Sequence, residues 1–241
     1  MRSAEPMEIG RFLQTVGLDE LSPPAPLAIL GARFALSRFD KKLFADYGIY
    51  QPDNIAQAVE KRQAEYFAGR YLAARAFARF GLNKVTLRSN NKRGPVWPKG
   101  FVGSISHTDD FACCALARAE HYLALGIDAQ AWISEESAPR LSRRILSPGE
   151  KTLLTESDVP LAEGLSLVFS AKESIYKAFH PHVQRFFGYR EAELTALDCT
   201  TRQLHFTLSH QLQRHPACPH TVKVDYCLLD DGVLTAVMLR R

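Results

Sequence analysis

This chain of 241 residues has little from which to build a disulfide framework. Its cysteines number five, two of them adjacent (Cys113, Cys114), and no pair has CxxC spacing. That pattern argues against a disulfide scaffold or a zinc site and suits a reducing compartment. No run of ~18 apolar residues occurs, so no membrane-spanning segment is expected. The opening MRSAEPMEIGRFLQ lacks the basic-then-apolar layout of a secretory signal, which leads to the expectation of a cytoplasmic protein. Charge of one sign is not in large excess: 30 Lys+Arg against 26 Asp+Glu leave a net charge of +4 and a pI near 8.8. This mild excess favours anionic partners, which include nucleic acid, acidic proteins and phosphorylated metabolites. Neither a glycine-rich nucleic-acid motif nor an aromatic stacking platform is visible, so nucleic acid is not expected among the partners.

With 46% hydrophobic and 23% charged residues, the composition is that of a globular protein. The length allows one large domain or two small ones. SPPAP at residues 22–26 fits neither a helix interior nor a central strand, so the first thirty or so residues read as a loosely tied arm. The strand-like LAILGARFALSRFD follows. The longest helical pattern runs from about Asn54 to Phe80, with Pro52 and Asp53 near its start and Gly81 as its stop. Beyond a polar turn at SNNKRGP, residues 89–95, three short extended runs follow: GSIS, FACCALA and HYLALGID, the last ending at Asp128. Two helical pieces come next, about 135–145 and 147–155. The second opens on Ser147-Pro148-Gly149-Glu150, a capping box with proline at the first helical position. A further helix covers VFSAKESIYKAF, residues 168–179. QLHFTLS, TVKVDYCLL and GVLTAVML close the chain as strands, the last two joined by Asp-Asp-Gly.

This order predicts an α+β protein of two similar-sized, pseudo-symmetric lobes, each a helix packed on a small, mainly antiparallel sheet. The expected divisions are an arm over 1–32, an N-terminal lobe over 33–124 and a C-terminal lobe over 125–241. No literal sequence repeat accompanies the order of elements.

The chemistry-bearing residues fall into three pieces: SISH (Ser104–His107), GID with the following Gln130, and SAKESIYK (Ser170–Lys177). In the last, Glu173 and Lys177 are four apart on one helix face. They could be a solvated ion pair contributing ~0.2–0.5 kcal/mol, or part of a reaction site. His107 could equally be a hydrogen-bonded surface residue, and Asp128 a turn former or helix cap. Arg62 and Arg70, bordering the apolar stripe of the long helix, could snorkel or could frame an anion site.

Five segments in order, KRQAEYFAGR (61–70), RGPVWPKGFVGSISH (93–107), GID (126–128), LSPGE (146–150) and FSAKESIYKAF (169–179), resemble the 4′-phosphopantetheinyl transferases. The resemblance is to the monomeric, two-lobed type that activates enterobactin and surfactin synthetases, with the enterobactin-type branch nearest. It covers about residues 33–190. It implies transfer of 4′-phosphopantetheine from coenzyme A to a serine of an apo acyl or peptidyl carrier protein, with release of 3′,5′-ADP. By the same resemblance Asp128 and Glu173 would supply carboxylates to Mg²⁺, Glu173 would also take the serine proton, and Lys177 would face the pyrophosphate. Ser106, His107, Arg62, Arg70 and Arg93 would line the nucleotide end of coenzyme A, although Arg70 could instead lock the lobes together. A monomer is expected, since two lobes on one chain could complete a site that a single lobe would need a partner to form.

Gln130 departs from the family pattern, in which many members carry an acid two residues after the GID aspartate. Its amide oxygen can still ligate a metal, but one negative charge is lost and the choice between Mg²⁺ and Mn²⁺ opens. An alternative is therefore a non-catalytic member that binds coenzyme A or a carrier protein and is crippled at Gln130. A metal-dependent nuclease would account for Asp128 and Glu173 but not for SISH or PVWP. The basic RLSRRIL (140–146) reads either as a docking face for an acidic carrier through Arg140, Arg143 and Arg144, or as a solvated helix face.

Overall fold

The computed structural model describes residues 7–18, 21, 26–90 and 94–241. Arg93 and most of the SPPAP and SNNKR stretches lie outside them. The chain divides into two compact units, Met1–Asp19 with Pro23–Ala119, and Glu20–Ser22 with Glu120–Arg241.

In the first unit, α1 (Met7–Phe12) leads into β1 (Leu13–Val16), which pairs antiparallel with β2 (Leu27–Phe34). This part of the expected arm is thus built into a sheet. Ile9, Phe12 and Leu13 are apolar side chains that gain by burial, roughly 1.5–3 kcal/mol for each large one. Phe12 joins Phe34, Phe39 and Phe67 in a cluster of tilted rings with centroids 5.4–5.8 Å from its own. Two short helices, α2 (Leu43–Asp46) and α3 (Asp53–Ala56), precede the long α4 (Glu60–Arg79).

The single helix predicted over 54–80 is interrupted at 57–59. Gln63 is buried there, and its amide donates to Ala58 O at 2.7 Å, a bond that requires an opened turn ahead of α4. Gly81, with φ of 79°, ends α4 in the left-handed conformation that a side chain would disfavour. α4 packs on β2 and on the hairpin of β3 (Phe101–His107) and β4 (Phe111–Arg118). The sheet order is β1-β2-β4-β3, antiparallel throughout.

The second unit begins with β5 (Tyr122–Ala131), followed by α5 (Ala138–Ile145), α6 (Pro148–Glu156) and α7 (Leu161–Val183). β6 (Ala192–Asp198), β7 (Gln203–Leu208), the one-turn α8 (His210–Gln213), β8 (Thr221–Leu229) and β9 (Gly232–Arg240) complete it. The five strands run β5-β9-β8-β7-β6, again all antiparallel. The α+β architecture of two helix-on-sheet lobes is the one the sequence predicts. Two details differ. β5 continues past Asp128 to Ala131, because Asp128 and Gln130 pair with Thr235 and Val233 of β9. β6 arises from AELTALD, whose short apolar–polar alternation breaks at Ala196–Leu197, beside a register shift between Leu194 and Ala196.

α7 runs for 23 residues against β5 and β9. Its closeness depends on Gly126, where a Cβ would overlap the carbonyl oxygen of Ser174 and press on Ala178. Small residues four apart on α7, Ala162, Ser166, Ser170, Ser174 and Ala178, are all buried. No helix among the described residues is long and apolar enough to cross a membrane. All five cysteines are free.

Candidate active site

The residues singled out in GID and SAKESIYK converge in the second unit. Asp128 lies in the middle of β5 and is 6% exposed. A carboxylate so buried needs partners. One oxygen, Oδ1, faces Lys177 Nζ at 2.7 Å, and the other, Oδ2, accepts from Ser170 Oγ at 3.0 Å. Ser170 in turn touches Thr235 Oγ1 (2.9 Å), which also meets Ser174 Oγ (2.7 Å). A chain of buried hydroxyls spaced along one face of α7 therefore holds the aspartate from beneath. Sequence reasoning did not assign a role to Thr235. The signals available were the Ser166/Ser170/Ser174 spacing of four and a lone threonine within apolar β9.

Glu173 and Lys177 do not simply serve one another as an exposed i,i+4 pair. Each has a partner off the helix: Lys177 has Asp128, and Glu173 Oε1 accepts from Tyr189 Oη at 3.0 Å. Burial pushes the Glu173 carboxyl above its usual range and the nearby Asp128 charge pushes the same way, while the Tyr189 hydrogen bond and Lys177 oppose the rise. Tyr189 is itself pushed up to about 12, by burial first and then by the Glu173 charge, so at neutral pH its hydroxyl remains a donor. Gln130 shares the Asp128 face of β5 two residues on, and its Nε2 donates to Ala131 O at 2.8 Å.

Lys172 turns away from this group into the core. Its side chain is 1% exposed and that of Glu150 is wholly buried, and the two pair at 2.7 Å. Nζ also donates to Ile145 O (3.0 Å) and Tyr189 O (2.9 Å), so its three protons are all engaged. Burial lowers the Lys172 pKa, and the Glu150 carboxylate opposes that shift. Glu150 closes the predicted capping box with Ser147 and also accepts from Leu194 N of β6 at 2.7 Å.

Beside Glu173 opens a cavity of about 620 Å³, whose walls include Arg144, Tyr176, Phe186, Phe187 and Tyr189. Phe186 is 78% exposed, and Arg140, Arg143 and Arg144 lie on the exposed side of α5.

The SISH and KRQAEYFAGR residues meet in the first unit. Arg62 Nη1 donates to His107 Nε2 at 2.8 Å and to Glu65 Oε2 at 3.1 Å. A guanidinium only donates, so this ring nitrogen is the acceptor. The other ring nitrogen lies 3.7 Å from the same Glu65 oxygen. Glu65, absent from the expected site, binds Arg62 and lies close to the His107 ring at this end of α4. Ser106 alternates to the face of β3 opposite His107 and is buried there. Arg70 is buried across the Tyr66 ring, 4.6 Å from its centroid, and donates to Ser89 Oγ at 3.0 Å. Its burial lowers its pKa.

As a donor set, the Asp128 and Glu173 carboxylates with the Gln130 amide suit a hard, oxygen-seeking divalent cation. No group of three or more His, Cys, Asp or Glu residues poised for a metal occurs among the described residues. Such a cation would therefore draw further oxygens from substrate and water.

The family model for the 4′-phosphopantetheinyl transferase N-terminal domain matches residues 51–117, and that for the 4′-phosphopantetheinyl transferase superfamily matches 124–233. Enterobactin synthase component D of Salmonella typhimurium is 33% identical over 215 residues, 88% of this chain and 88% of the relative. Its counterpart in Escherichia coli K12 is 32% identical over 155 residues, 63% of this chain and 73% of the relative. A 4′-phosphopantetheinyl transferase of Nocardia iowensis is 34% identical over 143 residues, 58% of this chain and 62% of the relative.

Proposed function

The chain belongs to the 4′-phosphopantetheinyl transferase superfamily, and from that premise we propose that it transfers the 4′-phosphopantetheine group of coenzyme A to a serine of an apo acyl or peptidyl carrier protein. The reaction is Mg²⁺-dependent and releases 3′,5′-ADP. The observation that carries this reading is the grouping of Asp128, Glu173 and Lys177 in the second unit, two neighbouring carboxylates and an ammonium, with Glu173 on the wall of an open cavity.

Asp128 and Glu173, with the Gln130 amide oxygen, would hold the Mg²⁺, or Mn²⁺ in its place, and when bound the ion supplies Lewis-acid polarisation of the phosphate and neutralises charge on the leaving group. Glu173 takes the proton of the attacking serine hydroxyl, a task for which a carboxyl raised by burial is suited. The serine oxygen forms a bond to the phosphorus that carries pantetheine. The bond from that phosphorus to the bridging oxygen breaks, and 3′,5′-ADP departs with the electron pair. Lys177 supplies positive charge to the pyrophosphate as it separates. In the first unit, His107 and Arg62 receive the 3′-phosphate of coenzyme A, with Glu65 orienting both. Arg70 is committed to Tyr66 and Ser89. Arg140, Arg143 and Arg144 dock the acidic carrier. The protein works as a cytoplasmic monomer, and its resemblance to enterobactin synthase component D makes a peptidyl carrier of an enterobactin-type synthase the first to try.

The test is the intact mass of an apo carrier protein after incubation with this protein, coenzyme A and Mg²⁺. A gain of one phosphopantetheine is expected, lost with EDTA and reduced about 10²–10⁴-fold in rate by Glu173→Ala. No gain on several carriers, with coenzyme A still bound, would favour the non-catalytic alternative centred on Gln130.

A further inference from the structure

Tyr189 is gripped at both ends by consecutive residues of α7. Adjacent helical residues diverge by about 100°, so the Lys172 ammonium reaches into the core to Glu150 while the Glu173 carboxylate reaches the Tyr189 hydroxyl, and both residues line the cavity. Lys172 Nζ holds the main-chain oxygen of Tyr189 at 2.9 Å, and Glu173 Oε1 accepts the Tyr189 hydroxyl at 3.0 Å. Between these ends the ring packs edge-on against Phe169, one turn earlier on α7, with centroids 5.7 Å apart. The Lys172 end is fixed in turn by Glu150, whose carboxylate also binds Leu194 N at the start of β6. A buried ion pair spanning α6, α7 and β6 therefore sets where the Tyr189 backbone lies.

We propose that Tyr189 is a positioning residue for Glu173, holding one carboxylate oxygen so that the other faces the attacking serine, and that the Glu150–Lys172 pair keeps Tyr189 in place. This rests on the reading of Glu173 as the group that takes the serine proton. A glutamate side chain has three rotatable bonds, and one hydrogen bond from a braced donor selects among its orientations. Catalysis by such a group depends on reach and alignment. Tyr189 acts through Glu173 and is not itself assigned contact with coenzyme A.

The test is a double-mutant cycle of Tyr189→Phe and Glu173→Asp, in which the shortened acid withdraws from the hydroxyl. With Glu173 present, Tyr189→Phe should lower kcat about tenfold, the scale of a hydrogen bond to a charged group, and leave KM for coenzyme A unchanged. In the Glu173→Asp background the same change should cost less than about twofold. The urea midpoints of the four metal-free proteins should show the same dependence: Tyr189→Phe lowers the midpoint only where Glu173 is intact. Equal losses in both backgrounds, a raised KM at unchanged kcat, or wild-type kinetics for Tyr189→Phe would overturn the proposal. A wild type that modifies no carrier overturns the transferase reading instead, and the urea cycle then decides whether Tyr189 and Glu173 are coupled.

Discussion

α4 and α7 are the same device used in two ways. Each is a helix of 20 residues or more laid on an antiparallel sheet. Near the start of α4, Arg62 and Glu65 form a partly exposed cluster with His107 of β3, and the neighbouring Lys61 pairs with Asp109 at 2.6 Å. In the middle of α7, Lys172 is buried on Glu150, and the partly exposed Lys177 meets the buried Asp128. Phosphate binding needs cations that can leave their partners and reach solvent. Proton transfer needs a carboxylate whose surroundings stay still. Under the proposed function the first cluster would meet the first demand and the second cluster the second.

Breaking the buried side should have the larger effect. Glu150→Ala leaves the Lys172 ammonium unpaired in the core, and a loss of about 3–5 kcal/mol in unfolding free energy is expected by urea denaturation. A loss under about 1 kcal/mol would mean that water or another acid replaces the carboxylate. On the exposed side, His107→Ala should raise KM for coenzyme A about tenfold, equivalent to ~1.4 kcal/mol, with kcat and the urea midpoint little changed. An equal fall in kcat would place His107 in the chemical step and dissolve the contrast.

Gln130→Glu sharpens the comparison further, because it adds a charge only to the group proposed to hold the metal. Mg²⁺ should bind several-fold more tightly by titration of the metal-free protein, since carboxylate count tunes the affinity of such sites. The smallest effect belongs to the surface fork between Arg185 and Glu191, at 2.6–2.8 Å. The hydrogen bonds from Arg185 hold the Glu191 carboxyl below its usual range. A lowered folded-state pKa adds stability that is complete above the unfolded value near 4.5 and is lost as pH falls through the lowered one. Arg185→Met should therefore flatten the stability curve below about pH 4.5, by less than ~1 kcal/mol for so exposed a pair.

The elements that were legible in the sequence are those defined by neighbours along the chain. GSIS and FACCALA alternate or run apolar over strand lengths, and Ser147 with Glu150 states a capping box within four residues. Gly81 marks the end of α4. Less was legible where a residue answers to something remote. Glu150 reads as a cap, yet its carboxylate is also the counter-ion of Lys172, twenty-two positions on. The helix over 54–80 reads as continuous, yet the buried Gln63 amide requires an open turn before it. Ser106 and His107 read as one basic-and-polar pair, yet strand alternation parts them.

By itself the sequence determined the two helix-on-sheet lobes, the family and the residue types of the site, because periodicity, caps and ordered motifs are local properties of the chain. Only the tertiary structure decided which charge meets which: Lys177 with Asp128, Lys172 with Glu150 and Tyr189 with Glu173. Those pairings depend on strand register and on the depth to which Gly126 lets α7 settle on β5. In a medium of low dielectric such pairings, rather than the mere presence of the residues, set the electrostatics of the site.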